Sequence, residues 1–326
     1  MAKRVWIVTA IAAACWATPL AQGQAPPAKT AAYVPPRTTD GQPDIQGVWN
    51  NATITPLERP ANLAEKAFFT TAEAASLEKV ALEANNRDRR GADGASDVAG
   101  AYNQAWFDRG TKVVQTLRTS LIVDPADGKI PYSDEGRKRL AAMAERGRAH
   151  PADGPEDLAL TDRCLLWGTA GPPMLPGPYN SNYQIFQTPE YVAIVIEMIH
   201  DVRIIPLDRR PHLHGSLRQW LGDSRGHWEG GTLVVETTNF TGKSHFRGST
   251  ENMRLIERFT RTDANTLTYD FTVQDAATFT KPWSGSIPMT KAAGPIYEYA
   301  CHEGNYAVPG ILGGARAEEA ATKKAK

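Results

Sequence analysis

A net charge of either sign is the first thing this chain lacks. Lysine plus arginine and aspartate plus glutamate both number 36 in 326 residues, and no Lys/Arg stripe stands out. Without that electrostatic footprint, neither nucleic acid nor an anionic membrane is an expected partner. There is no glycine-rich nucleotide fingerprint and no alternation of strand and helix patterns, which excludes a doubly wound α/β sheet. Cysteine is scarce, three in all, at positions 15, 164 and 301. The apolar run at 5–20 is, at roughly 15 residues, too short for a comfortable membrane span. No stable span is therefore expected.

That run reads instead as the core of a secretory signal over residues 1–25. Lys3 and Arg4 give it a basic start, and Ala21-Gln22-Gly23-Gln24-Ala25 offers small residues for cleavage. The mature protein is then periplasmic or secreted. Cys15 leaves with the leader, lipoprotein processing being the alternative. Export places Cys164 and Cys301 in an oxidising space, where a Cys164–Cys301 disulfide is expected, two buried thiols being the other reading.

Eight tryptophans are present, most of them between Trp106 and Trp283 in stretches rich in Gly, Pro, Tyr and Asn. That mixture suits the lining of a ligand cavity as well as a core of buried indoles. Residues 26–39 are a Pro/Ala-rich tether, and one β-rich domain is expected over 40–312. Thr70 with Glu73 forms a capping box, and Leu77, Val80, Ala81 and Ala84 recur at helical spacing, which predicts a helix over 71–85. Ser133 caps a second helix, carrying Leu140 and Met143, over 133–146. A strand is expected at 117–123. Residues 150–182 hold many prolines and glycines and read as a long ordered loop pinned by Cys164.

From residue 183 the pattern becomes strands. Segments 183–188, 191–199 and 202–207 follow with very short connections, which means antiparallel neighbours. Further strands are expected at 232–240, 254–261, 266–274, 283–288 and 296–301. Leu267, Tyr269, Phe271 and Val273 alternate with polar residues, marking one buried and one wet face. The expected fold is mainly β, a large antiparallel barrel or strongly curved sheet with two N-terminal helices and the long Pro/Gly-rich loop. Residues 313–326 are expected to be a flexible tail.

Two resemblances bear on this. Gly47-Val48-Trp49 resembles the Gly-x-Trp that opens the first strand of lipocalins, closed barrels that hold small apolar ligands. Three longer segments together resemble a family of exported bacterial proteins. They are Asp40-Gly41-Gln42-Pro43-Asp44-Ile45-Gln46-Gly47-Val48-Trp49, Gln219-Trp220-Leu221-Gly222-Asp223-Ser224-Arg225-Gly226 and Tyr297-Glu298-Tyr299-Ala300-Cys301-His302-Glu303-Gly304-Asn305-Tyr306. This second resemblance implies export and a shared domain architecture, and carries no particular reaction.

The densest polar cluster runs from Glu197 to His245 and contains five of the seven histidines. Glu197 follows the apolar run Tyr191-Val192-Ala193-Ile194-Val195-Ile196, where a carboxylate is costly unless paired or facing a polar cavity. It is a candidate general acid or base; the structural alternative is a pair with Arg203 across the turn. His200 is a candidate proton shuttle or an exposed turn residue. His302, fixed beside Cys301, is the third candidate catalytic group, or a polar residue on a stapled terminus. His212 and His214 would share one face if extended and form a possible divalent-metal pair. Gly222-Asp223-Ser224-Arg225-Gly226 matches a nucleophile elbow in form, but no helix signal follows, so it reads as a turn. Glu257, Arg258, Arg261 and Asp270 read as cross-strand ion pairs.

The expected function is an exported enzyme of lyase or hydrolase type, without an organic cofactor, acting on a small ring-containing molecule. Glu197, His200 and His302 would move protons, while Arg203, His212, Trp220, Tyr297 and Tyr299 would bind the substrate. All of them are expected to point into a hollow inside the barrel. The alternatives are a lipocalin-like carrier of small molecules and a structural envelope protein.

Overall fold

The computed structural model describes residues 33–86, 88, 93–99, 109–168 and 170–325. The expected leader, Cys15, Trp106 and the first half of the tether lie outside them. The described chain is mainly β. Ten strands form one antiparallel sheet: β1 Gly47–Asn50, β2 Ile122–Asp124, β3 Asn182–Gln187, β4 Tyr191–Ile196, β5 Val202–Pro206, β6 Asp223–Glu229, β7 Thr232–Thr238, β8 Arg254–Arg261, β9 Thr266–Gln274 and β10 Trp283–Lys291. The helices are α1 Thr71–Ala84, α2 Gly94–Ala99, α3 Asp134–Ala149 and α4 Ala307–Ala325.

Short turns make β3–β4–β5 one meander; β6 to β10 form another, in which longer connections over 239–253 and 275–282 join β7 to β8 and β9 to β10. The N-terminal β1 joins them, pairing β3 on one side and β10 on the other in the order β5-β4-β3-β1-β10-β9-β8-β7-β6, with β2 lying against β10. The free edges then meet. Arg203 on β5 donates to Ser224 Oγ on β6 at 3.3 Å, and a Cβ at Gly226 would lie 2.8 Å from Ile205 Cγ2. The result is a nearly closed barrel, which removes the hazard of exposed strand edges.

Period-two alternation decides what faces inward. On β9, Leu267, Tyr269, Phe271 and Val273 are buried while Thr268, Asp270 and Thr272 face outward. The inward set from all strands fills the barrel. Phe259, Tyr269, Phe271 and Trp283 follow one another with ring centroids 5.1 to 5.8 Å apart. Position 285 must be glycine because a Cβ there would collide with the Phe271 ring. Trp49 is fully buried, donates its indole N–H to the Ile45 carbonyl at 2.9 Å, and lies under the Arg261 guanidinium. The expected hollow is therefore corrected: close-packed side chains occupy the space where an internal ligand would sit.

Arg203 sits in this interior. It is 3% exposed and forks onto the fully buried Glu257, whose Oε1 also accepts from Tyr269 Oη at 2.9 Å. Burial by itself would lower the Arg203 pKa; the Glu257 carboxylate overrides it and raises the value. Burial, with Glu257 beside it, likewise drives the Tyr269 hydroxyl far above its usual range. The Arg203 and Glu257 charges thus neutralise each other inside a low-dielectric barrel, while Arg203 Nε is left without a hydrogen-bond partner. Ser224 Oγ joins them, bonded to Thr237 Oγ1 at 2.9 Å on an inward-facing strand position. It stands in β6, with no nucleophile elbow around it.

Five further expectations change. Segment 296–301 is no strand, because β1 already holds that edge of β10 through Trp49↔Lys291 and Asn50↔Thr290. The tail beyond residue 313 is helical, part of α4, with Arg316 donating to the carbonyls of Ala152 and Asp153. β6 is a strand that hydrophobic alternation does not reveal, since two of its inward positions are Ser224 and Gly226 and only Trp228 is a large apolar residue. A short α2 lies within 86–100, a polar, glycine-rich stretch whose composition reads as a loop. The expected strand near 117–123 shrinks to β2. By contrast, the capping box at Thr70 and the Ser133 cap of α3 form as expected.

Candidate functional site

β4 ends in a turn that fixes the site. Glu197 follows Ile196 directly, and Ile199 and His200 both adopt left-handed backbone, at φ 61° and 50°. For a β-branched residue that conformation is strained, and such strain clusters where structure is held for function. The strain is sustained because Met198 and Ile199 are buried against the barrel end.

Glu197 is 5% exposed. Its Oε2 accepts from Asn182 Nδ2 at 2.8 Å, and its Oε1 accepts from the Tyr297 backbone N–H at 3.2 Å. The Asn182 amide is itself oriented by Asn50, whose Nδ2 donates to Asn182 Oδ1 at 2.8 Å. A relay of side chains on β1 and β3 therefore aims at the carboxylate. Among the described residues Glu197 forms no ion pair. It is a buried carboxylate held only by neutral donors, an arrangement that leaves its charge uncompensated.

The carboxylate lies in the wall of a cleft of about 860 Å³ at one end of the barrel. One side of the cleft is loop 150–181, contributing Trp167 and Tyr179; the other is the segment after β10, contributing Tyr297, Tyr299 and Asn305. The Cys164–Cys301 disulfide ties these two sides, with Cα atoms 5.8 Å apart, and Asn305 Nδ2 donates to the Asp162 carbonyl at 3.2 Å. Trp167 and Tyr179 pack with centroids 5.7 Å apart, and Tyr179 stacks on Tyr299 at 6.3 Å.

His200 reaches the same segment from behind. Its Nδ1 lies 2.9 Å from the Tyr299 carbonyl. A carbonyl only accepts, so Nδ1 carries the proton and Nε2 is left as the acceptor of the neutral ring. The His302 ring is 6.4 Å away. Both imidazoles are exposed, and neither is among the side chains lining the cleft. Next to His200, burial pushes the Asp201 carboxyl above its usual value, with His200 acting in the opposite direction.

The remaining candidates lie elsewhere. Arg203, expected at the substrate, is enclosed in the barrel and faces Glu257, not Glu197. Trp220 lines a second cleft of about 550 Å³ with Phe240, His245, Phe246 and Met253. His212 places Nδ1 2.9 Å from Asp223 Oδ2 and Nε2 3.7 Å from Glu236 Oε1, on the outside of the sheet. His214 turns away to Ser216 Oγ at 2.8 Å, so the two imidazoles do not share a ligand. Among the described residues no group of three or more His, Cys, Asp or Glu side chains is arranged to hold a metal ion. Asn182, Trp167 and Tyr179 are site residues that sequence reasoning passed over. The signal for Tyr179 and Asn182 was the run Tyr179-Asn180-Ser181-Asn182, amides and hydroxyls at the start of a strand.

The third segment of the resemblance to exported proteins supplies the wall of this cleft, through Tyr297, Tyr299, Cys301 and Asn305. Comparison of the chain with protein-family models, with curated proteins and with solved structures finds no match.

Proposed function

We propose that this chain is an exported enzyme that performs acid–base chemistry, of lyase or hydrolase type, on a small ring-containing molecule held in the Glu197 cleft. One observation carries the reading: Glu197 is buried in the wall of an aromatic cleft, oriented by Asn182 and the Tyr297 N–H, and has no cationic partner among the described residues. A buried carboxylate that lines a cleft and is aimed by fixed neutral donors is one of the convergent polar groups that mark a ligand site. Glu197 is the group that would take and return a proton. His200 and His302 stand outside the cleft lining, so in this reading His200 is a positioning residue. Its Nδ1–H holds the Tyr299 carbonyl and with it the wall. Export is supported by the Cys164–Cys301 disulfide, and among the described residues no helix is long and apolar enough to cross a membrane.

The test is conversion of a mixture of small ring-containing metabolites, read by mass spectrometry for wild type and for Glu197→Gln. Selective conversion by wild type, with a loss of roughly a hundredfold or more in the variant, is the expected outcome. A ligand recovered unchanged from both proteins would replace the enzyme by a carrier. Its site would be this cleft at the barrel end, since the barrel interior is filled.

A further inference from the structure

The lining of the Glu197 cleft is one-sided in charge, although the chain as a whole is neutral. Asp162, Glu197 and Glu298 are its ionisable carboxyls, and no lysine, arginine or histidine is among the described residues that line it. Much of the remaining wall is aromatic, from Trp167, Tyr179 and Tyr299. Aromatic faces carry the negative side of a quadrupole and attract cations, the more so where water is excluded. A further polar group points to an occupant. Ser181 lines the cleft, is 4% exposed, and its Oγ has no hydrogen-bond partner. Buried hydroxyls are nearly always satisfied, and this one retains lone pairs for an incoming N–H or O–H.

We propose that the cleft binds an organic cation, an ammonium group carried on or beside a ring. This deepens the proposed function, because it takes the same cleft as the ligand site, but it does not require Glu197 to transfer a proton. The ammonium would supply the charge that the buried Glu197 carboxylate lacks, the indole and phenol faces would cover its alkyl groups, and Ser181 Oγ would accept from a ligand donor. An anion would meet three carboxyl groups and no counter-charge. A hard divalent ion wants six or more oxygen ligands, which an aromatic wall does not provide.

The test is equilibrium binding to the purified full chain, followed by calorimetry and by tryptophan fluorescence. The probes are choline, its neutral isostere 3,3-dimethylbutan-1-ol, benzoate and calcium chloride. Choline is expected to bind roughly tenfold or more tightly than the neutral isostere, and to weaken as sodium chloride rises. Glu197→Gln is expected to weaken choline roughly tenfold while leaving the isostere unchanged. Should that variant fail to fold, Trp167→Leu is expected to give a loss of the same sign. Equal affinity for choline and its isostere, preference for benzoate, or displacement of choline by calcium would overturn the proposal. Binding is read without turnover. A protein that selects choline but converts nothing defeats only the acid–base reading, and one that turns over substrate while indifferent to charge defeats only this inference.

Discussion

Arg203 on β5 and Glu257 on β8 clasp each other across the middle of the barrel, both side chains enclosed by protein. Neither strand is hydrogen-bonded to the other, so the pair acts as a strut through the core. Removing one partner leaves a buried charge without compensation. Arg203→Met is therefore expected to cost about 3–5 kcal/mol, whereas Arg203→Met combined with Glu257→Leu is expected to recover much of it. Urea denaturation of the two variants checks this, and equal destabilisation of single and double variants would contradict it.

The Cys164–Cys301 bridge closes a separation of 137 residues and joins the two sides of the cleft. Cys301→Ser should destabilise the fold by roughly 2–5 kcal/mol, mainly by freeing the unfolded chain. Because the barrel does not depend on the segment after β10, its strand content should persist while the cleft opens. Circular dichroism below the melting transition, compared with the environment of Trp167 by fluorescence, separates the two effects.

His200 is expected to act through the Tyr299 carbonyl. An asparagine can donate to that carbonyl but cannot carry a proton at neutral pH. Once a substrate is known, His200→Asn should keep most of the activity with an unchanged pH profile, and His200→Ala should raise KM more than it lowers kcat. Loss of one limb of the pH profile in His200→Asn would instead make the imidazole a proton carrier.

Glu236 on β7 is held by Arg254 on β8, at 2.8 Å to Nε and 2.6 Å to Nη2, and this hydrogen bonding lowers its pKa below the usual 4.5. As pH falls below that value the unfolded chain takes up the proton first, so stability falls with it. The contribution is whole above about pH 4.5 and is lost as pH drops through the folded value. The pair is partly exposed, so it is worth about 1 kcal/mol or less. Arg254→Met should lose that amount at about pH 7 and progressively less as pH falls below about 4.5, measured as urea midpoints across the range.

Much of the sheet was legible because period-two patterning is local. β8 and β9 lie over 254–261 and 266–274 as their alternation predicts, and α1 and α3 start at their caps. β6 was not legible, since its inward positions include Ser224 and Gly226, the latter left bare for Ile205 and Leu207 from across the closure, a demand that arises only in three dimensions. The expected strand at 296–301 failed for a related reason: its place beside β10 is taken by a strand far away in sequence.

The candidate site divides in the same way. Glu197 stood out because a carboxylate closes an apolar strand, and Tyr297, Tyr299 and the disulfide stood out by type. Asn182 did not, because an amide says nothing of its partner until β1 and β3 are in register and Asn50 is placed beside it. Arg203 was assigned to the substrate on sequence nearness to Glu197, but strand alternation turns the two side chains to different surroundings.

The amino-acid order by itself determined which segments extend, which coil, and which face of each strand avoids water, because those properties depend on neighbours two to four positions apart. Only the tertiary structure decided that β1 closes the sheet, that the barrel is solid, and that the functional cleft lies at its end. Those outcomes turn on contacts between residues a hundred or more positions apart, whose energies no local pattern encodes.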